Sequence, residues 1–454
     1  VAIELIKHEK DSDIIVSFAD EDFEKTLSKK IDGEFDSEYS ECERMAAIML
    51  FEILSEYTGI RLPWGILTGV RPIKLLHNLV RELGTDGADK YFREKLLVTE
   101  QKTKLALTTE KNERKILELS KPDSFSLYIS VPFCPTRCSY CSFVSQSIEK
   151  AKKLVEPYLD LLCQEIKYTA EIAKELNLRL ETVYIGGGTP TTFSAEQLTK
   201  LITAINTSFD MKKCREFTIE AGRPDTITRE KLKAILDGGC DRISINPQTL
   251  NDSVLEAIGR KHTTAQFFDS FDLARKVGFD SINTDIIAGL PTDTVESFEN
   301  TIDKLIELAP ENITVHTLSI KRAARLNHSG DREVLKNPAD KMVEYATKRL
   351  LESGYLPYYL YRQKNIAGNF ENVGYAKVDK AGIYNILIME EKQSIVAAGA
   401  GASTKVVLPY EIPAPGSKNG RMTNLIRIEN VRDVGEYISR IDEMIERKGE
   451  WLWH

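Results

Sequence analysis

Ser130–Cys141 reads SVPFCPTRCSYC and gives the strongest structural signal in the chain. It continues an apolar, β-branched run, so Cys134, Cys138 and Cys141 fall in a loop directly after a predicted strand. Three thiolates can hold a [4Fe–4S] cluster and leave one iron without a protein ligand. That iron can be chelated by the amine and carboxylate of S-adenosylmethionine (SAM). The main alternative, structural zinc, usually needs paired C-x2-C knuckles, and the sequence has no second pair.

Around this loop, short β-branched runs alternate with helical windows such as Ala195–Ser208 and Val295–Leu308. The predicted strands are Ser126–Pro132, Thr182–Ile185, Glu216–Glu220, Arg242–Asn246, Ser281–Ile287 and Asn312–Ile320. Six βα units in series predict an α/β fold with a parallel sheet curled into a partial (β/α)6 barrel. Ligands of such a sheet gather at the carboxyl ends of its strands.

The sequence predicts three domains. Residues 1–120 form a helix-rich N-terminal accessory domain that begins with two short apolar runs, and a Lys-Pro-Asp-Ser boundary ends it. Residues 121–330 form the barrel, and residues 331–454 form a C-terminal α/β domain that caps the substrate.

Composition narrows the class of protein. The chain has 454 residues, of which 42% are hydrophobic and 29% charged, as in globular proteins. The net charge of −8 does not indicate binding to nucleic acid, which favours basic surfaces. No apolar run is long enough to cross a membrane. The first residues do not read as a signal peptide. Three of seven cysteines are crowded into eight residues, which favours metal binding in a reducing, cytoplasmic compartment over disulfides.

A glycine turn, VYIGGGTPT, occupies Val183–Thr191 after the second barrel strand. Glycine permits positive φ and close approach of the backbone to a ligand, although a simple tight turn is the alternative. Together with the cysteine loop, it resembles the radical SAM superfamily. More narrowly, it resembles the oxygen-independent coproporphyrinogen III oxidase (coproporphyrinogen dehydrogenase) family, and the layout is similar to the long Gram-positive branch. The sharp motifs cover roughly residues 125–330.

The resemblance implies a set of site residues. The metal ligands are Cys134, Cys138 and Cys141; Tyr128 lies near the cluster and SAM; Tyr140 faces adenine; Gly187 and Gly188, beside Thr189, hold the methionine moiety; Glu220 binds SAM; Gln248 and Arg260 reach the ribose and carboxylate; Asp285 and Ile287 share the fifth strand, with Ile287 against adenine. Alternatives remain for single residues. Glu220 could cap a helix or pair with Arg223, Arg260 could be a surface charge on a helix end, and Asp285 could be an ordinary buried hydrogen-bonding group.

The resemblance also implies a reaction, the conversion of coproporphyrinogen III to protoporphyrinogen IX in haem biosynthesis. A 5′-deoxyadenosyl radical would start it by taking hydrogen from a propionate. Arginine suits propionate carboxylates, so Arg322 and Arg362 are the predicted substrate residues, with Tyr128 as the third catalytic candidate. A solvated basic face is the alternative at both arginines. His316 and His328 are assigned no role.

Two features leave other functions open. Cys141-Ser142-Phe143 lacks the extra cysteine of the bacterial oxidases and is more similar to haem chaperones, yet the chaperones' His-Asn-x-x-Tyr-Trp segment is missing. The alternatives are a haem-binding carrier and a radical SAM enzyme that methylates or opens the haem ring. The expected partners are a tetrapyrrole and an electron donor such as flavodoxin or ferredoxin, without nucleic acid or a membrane span.

Overall fold

The computed structural model describes seven stretches of the chain. They are residues 1–8, 11–32, 39–143, 145–319, 338–363, 370–415 and 422–452. The chain forms two compact units: residues 1–108 together with Phe370, and the described residues from Thr109 onward apart from Phe370. The three-domain division stays a prediction.

The first unit combines a small sheet with helices. Its elements are β1 (Ala2–Lys7), β2 (Asp11–Asp20), β3 (Phe23–Asp32), α1 (Tyr39–Thr58), α2 (Pro72–Lys90) and α3 (Glu100–Leu117), which continues into the second unit. The strands form an antiparallel sheet in the order β1-β2-β3. Ile14 and Val16 alternate along β2 and pack with Met45, Met49 and Ile53 of α1. The unit is therefore helix-rich, as predicted, but it also contains a complete three-stranded sheet.

The second unit is built on one eleven-stranded sheet flanked by helices. Its strands are β4 (Ser124–Val131), β7 (Arg179–Gly187), β8 (Glu216–Glu220), β9 (Arg242–Ser244), β10 (Ile282–Ala288), β11 (Asn312–Thr317), β12 (Leu356–Arg362), β13 (Glu371–Ala376), β14 (Ser394–Ala398), β15 (Ser403–Pro413) and β16 (Met422–Glu429). A separate pair consists of β5 (Phe133–Cys134) and β6 (Gln146–Ser147). The helices are α4 (Ile148–Ala151), α5 (Val155–Glu175), α6 (Ala195–Ser208), α7 (Arg229–Asp237), α8 (Asp252–Ala257), α9 (Thr264–Val277), α10 (Val295–Leu308), α11 (Ala339–Glu352), α12 (Ile383–Glu390), α13 (Val434–Ser439) and α14 (Ile441–Leu452).

The six predicted barrel strands lie side by side in the order β4-β7-β8-β9-β10-β11, and every neighbouring pair is parallel. Helices connect them, and capping boxes at Ser194 and Thr263 start α6 and α9. The predicted partial (β/α)6 barrel is confirmed. Because the six strands run in one direction, their carboxyl ends meet at a single edge, here called the mouth.

Residues beyond the barrel extend the same sheet at both ends. β14 runs parallel to β4, with Ala397 opposite Tyr128, and β13 runs antiparallel to β11. β4 is therefore an interior strand of the sheet, and its outer neighbour comes from the C-terminal third of the chain.

Within the described residues, none of the helices combines the length and the apolar character that a membrane crossing demands.

Candidate active site

The glycine turn is fastened to the start of the cysteine loop. The amide of Gly188 donates to the carbonyl of Val131 at 2.8 Å, and the amide of Thr189 donates to the carbonyl of Phe133 at 2.7 Å. A Cβ placed on Gly188 would lie 2.6 Å from that Phe133 oxygen, and Gly187 has a φ of 103°. Only glycine fits both positions without strain. Two motifs separated by about fifty residues therefore form one rigid surface.

The far side of the cysteine loop rests on the segment after α8. The amide of Ser139 donates to the carbonyl of Ile258 at 3.0 Å, and the Thr136 hydroxyl donates to the carbonyl of Gly259 at 3.3 Å. Buried Arg260 follows directly, and its Nη1 donates to the carbonyls of Gly222 and Asn246. Arg260 is thus a buried group beneath the loop, and its alternative interpretation as a surface charge is wrong.

Arg223, in the segment that follows β8, is a cation beside the cysteine loop. The sequence analysis assigned it no role in the site. The residue is 3% exposed, and its guanidinium forms a two-pronged ion pair with Asp225. Nη1 also lies 3.9 Å from Sγ of Cys138 and 3.2 Å from the Thr136 hydroxyl. The alternative pairing of Glu220 with Arg223 is therefore wrong, since Asp225 takes that place. A fixed positive charge lies beside the middle thiol.

Half-buried side chains line the concave face of the barrel below the mouth. Tyr128, Tyr184, Glu220, Asp285 and His316 each stand between buried neighbours on their own strand. The Tyr184 hydroxyl donates to Oε1 of Glu220 at 2.6 Å. Burial raises the pKa of Glu220 to about 7, although the Tyr184 hydrogen bond opposes that rise. Glu220 can therefore change its charge near neutral pH.

Asp285 has the opposite electrostatic setting. Burial disfavours its ionised form, but His316, whose Nε2 lies 3.9 Å from Oδ2, and the Asn283 amide at 2.8 Å outweigh that effect. The pKa of Asp285 is consequently below its usual value. The face thus carries one carboxylate that stays charged and one that titrates.

Gln248 adds a strained backbone and a buried side-chain acceptor to this face of the barrel. It has a φ of 67°, and its amide and carbonyl bridge to Asp285 and Ile287 of β10. Its side-chain Oε1 is buried and has no hydrogen-bond partner among the residues that the structure describes. Strain of this kind in a non-glycine residue tends to persist at ligand sites. A ligand hydroxyl or amine at this position would satisfy the oxygen.

The two predicted adenine contacts lie in one apolar group. Tyr140 packs against buried residues that include Ile287, Ile258 and Leu318. Deeper in the barrel, Tyr184 stacks on Tyr384 of α12 with ring centroids 4.5 Å apart. Aromatic side chains therefore line both the rim and the inner part of the face.

Of the two arginines predicted to bind substrate, the structure describes one. Arg322 and His328 lie outside the described residues. Arg362 is described and is 3% exposed. Burial lowers the pKa of its guanidinium, and the charge of Glu371, its partner in the β12–β13 ladder, opposes that change. Thr189 is also buried, and its hydroxyl donates to Sγ of Cys134 at 3.5 Å. The role of Arg362 toward a propionate stays a prediction.

Comparison with known proteins identifies the family. Residues 128–305 match the Radical SAM superfamily. Over 422 residues the chain is 37% identical to the oxygen-independent coproporphyrinogen-III oxidase-like protein HemZ of Bacillus subtilis, covering 91% of this chain and 82% of that protein. The chain belongs to the radical SAM coproporphyrinogen oxidase family.

Two other proteins match a smaller share of this chain. The haem chaperone HemW of Lactococcus lactis is 34% identical over 244 residues, which cover 53% of this chain and 62% of HemW. The structure of the coproporphyrinogen III oxidase HemN of Escherichia coli covers 73% of this chain and 72% of its own, with a TM-score of 0.55 and 21% identity. That likeness shows the shared fold. The protein is thus a radical SAM oxidoreductase with relatives named for haem metabolism.

The thiols fit the cofactors of this superfamily, a [4Fe–4S] cluster and SAM. The three cysteines are free thiols on one loop, and Arg223 Nη1 lies 3.9 Å from Sγ of Cys138. Three thiolates can hold such a cluster and leave one iron without a protein ligand, and a nearby cation suits its negative charge. Within the described part of the chain, Oε1 of Gln248 has no hydrogen-bond partner and is available to a polar ligand.

Proposed function

We propose that this protein catalyses the oxygen-independent oxidative decarboxylation of coproporphyrinogen III to protoporphyrinogen IX. The observation that carries the proposal is the convergence at one mouth of the cysteine loop, the glycine turn and the half-buried acids Glu220 and Asp285. The 37% identity to an oxidase-like relative over most of its length supports the same reaction.

The chain's residues divide the binding of the cofactors. Cys134, Cys138 and Cys141 hold the cluster. Gly187 and Gly188 approach the methionine part of SAM, with Glu220 accepting from its amine; Gln248, Arg260 and Asp285 serve the ribose and carboxylate; and Tyr140 and Ile287 enclose adenine. One-electron cleavage of SAM supplies the oxidant that removes a hydrogen atom.

The barrel face provides the shielding that such an oxidant needs. Tyr128, Tyr184 and Tyr384 stack within 6.3 Å of one another and fill the barrel below the mouth. Each reacting propionate loses a hydrogen atom, carbon dioxide and one electron, and becomes a vinyl group. The electron passes to an external acceptor. Arg322 and Arg362 orient the propionate carboxylates in this proposal.

The test is anaerobic incubation of the reconstituted protein with coproporphyrinogen III, SAM and a reductant, followed by mass analysis for two carbon dioxide losses. Arg322→Ala should weaken substrate binding while sparing SAM cleavage without substrate. Equal loss of both activities would remove the propionate assignment. Intact coproporphyrinogen in the presence of vigorous SAM cleavage would contradict the proposed reaction itself.

The match to a haem chaperone favours a second candidate, a haem-binding carrier. The two functions are separable by spectroscopy and turnover. Tight haem binding, seen as a shifted Soret band, together with unchanged coproporphyrinogen would favour the carrier. Turnover of coproporphyrinogen with weak haem binding would favour the enzyme.

A further inference from the structure

A buried carboxylate on α5 gathers hydrogen bonds from the C-terminal part of the chain. Glu165 is fully buried, and its Oε1 accepts from the Lys448 ammonium at 2.6 Å and the Asn430 amide at 2.9 Å. Its Oε2 accepts from the Tyr437 hydroxyl at 2.5 Å and the backbone amide of Gly399 at 2.8 Å. These residues form the Glu165 network. Lys448 is itself 1% exposed, so the charge pair is enclosed.

The Glu165 network holds a second glycine turn, Gly399–Ala402, at the mouth. The turn follows β14, and since β14 is parallel to β4, it emerges at the same edge as the cysteine loop. Gly399 has a φ of 99°, and a Cβ there would lie 2.5 Å from the carbonyl oxygen of Ser130. The Asn430 amide also donates to the Gly399 carbonyl at 3.0 Å. The turn is therefore pressed against the last residues of β4.

Three hydrogen bonds join this second turn to Ser130. The Tyr158 hydroxyl donates to the Ser130 carbonyl at 2.7 Å and accepts from the Ala400 amide at 3.0 Å. The Ser130 hydroxyl donates to the Ala400 carbonyl at 2.9 Å. Ser130 is opposite Gly186 in the β4–β7 ladder, and four residues later the chain reaches Cys134. A continuous set of contacts thus leads from α14 to both cofactor-binding motifs.

We propose that Glu165 is a positioning residue of the SAM site. Its buried hydrogen bonds fix the Gly399–Ala402 turn, and that turn holds the end of β4 where the cysteine loop and the first glycine turn bind the cluster and SAM. The proposal rests on the assignment of this mouth to SAM, but it does not depend on the identity of the tetrapyrrole substrate. The C-terminal helices thereby contribute to cofactor binding without touching the cofactor.

Glu181, near the amino-terminal end of a barrel strand and therefore at the opposite edge of the sheet from the mouth, offers a matched control. Glu181 is also fully buried, and it accepts from Arg215 and from the Ser120 hydroxyl. It stands near the start of β7, whereas the first glycine turn lies at the end of that strand. Loss of Glu165 leaves the buried Lys448 ammonium without its counter-ion, and loss of Glu181 removes the ion pair of the partly buried Arg215, so both substitutions should destabilise the fold. In the described residues, the side-chain hydrogen bonds of Glu165 lead to the mouth, whereas those of Glu181 lead to Ser120 and Arg215.

The experiment compares Glu165→Ala, Tyr437→Phe and Glu181→Ala in the full chain with a reconstituted cluster. SAM affinity is measured by anaerobic calorimetry, and hydrogen exchange is followed in residues 126–135 and 183–191. Glu165→Ala should weaken SAM binding about tenfold, as loss of outer-shell partners does elsewhere, and should speed exchange in both segments. Tyr437→Phe keeps the ring and should give a smaller change in the same direction. Glu181→Ala should lower the unfolding temperature alone.

The charge pair allows a rescue. Lys448→Met leaves Glu165 as an unpaired buried anion and should weaken SAM binding, whereas Lys448→Met combined with Glu165→Gln removes that charge and should restore much of the affinity. If Glu165→Ala and Tyr437→Phe lower the unfolding temperature but leave SAM affinity and exchange at 183–191 unchanged, Glu165 is a structural group only. None of these measurements contains a tetrapyrrole, so a failed decarboxylation assay would not affect the result.

Discussion

Replacing Tyr184 by phenylalanine should raise the pKa of Glu220 beyond its value of about 7. The Tyr184 hydroxyl donates to Glu220 Oε1 at 2.6 Å and stabilises the ionised form. A hydrogen bond to a charged group contributes about 1.5–3 kcal/mol, and one pKa unit corresponds to about 1.4 kcal/mol. The substitution should therefore shift the pKa of Glu220 upward by about 1–2 units.

This shift has a measurable effect on SAM binding. In the proposed site Glu220 accepts from the SAM amine, and an ionised carboxylate would accept a stronger, charge-assisted hydrogen bond, so affinity should rise as the pH passes through the pKa of Glu220. The rise is expected near pH 7 in the wild type and about 1–2 pH units higher in Tyr184→Phe. Between these values the variant should bind SAM about tenfold more weakly.

The assay is the dissociation constant of SAM from pH 5.5 to 9.5, measured anaerobically on cluster-loaded protein. The ratio of the variant's constant to that of the wild type cancels the titration of SAM itself. Tyr355→Phe is the control, since this buried tyrosine donates to the Pro310 carbonyl at 2.7 Å near the amino end of β11. A Tyr184→Phe profile that superimposes on the wild type would refute the link between Tyr184, Glu220 and SAM.

Three further substitutions test the mouth. Cys138→Ala should abolish the [4Fe–4S] absorption and SAM cleavage, and unchanged cleavage would overturn the ligand assignment. Gly188→Ala places a methyl group 2.6 Å from the Phe133 oxygen and should lower both SAM affinity and the unfolding temperature, so a neutral result in calorimetry would contradict the close fit. Arg223→Met removes a cation 3.9 Å from Cys138 Sγ and should make the cluster's reduction potential more negative; an unaltered potential in an EPR-monitored titration would exclude that electrostatic role.

The sequence predicted those parts of the site that depend on strand order. β-branched runs located all six barrel strands, and Glu216–Glu220 and the helix Ala195–Ser208 have the predicted bounds. The cysteine loop and the glycine turn each follow a strand directly, so their meeting at one edge is a consequence of parallel topology. Local pattern was sufficient for these features.

The parts of the site that the sequence did not predict depend on side-chain contacts between segments that are distant in the chain. Arg223 lies beside Cys138, 85 residues away in sequence, and Tyr184 lies on Glu220 from a neighbouring strand. Neither contact leaves a signal at a fixed spacing. The small N-terminal sheet was overlooked for another reason: β3 reads FEKTLSKKID, and the lysines among its apolar residues obscure the alternation of Phe23, Leu27 and Ile31.

The pairing of β14 with β4 has a consequence for biosynthesis. The strand that precedes the cysteine loop obtains its outer neighbour only from residues 394–398, more than 250 positions later in the chain. On the ribosome, the outer edge of β4 therefore stays unpaired until residues 394–398 have been synthesised, and contacts of such long range form slowly. Before that point the mouth lacks the strand that flanks β4, so assembly of the metal centre should follow the synthesis and pairing of β14.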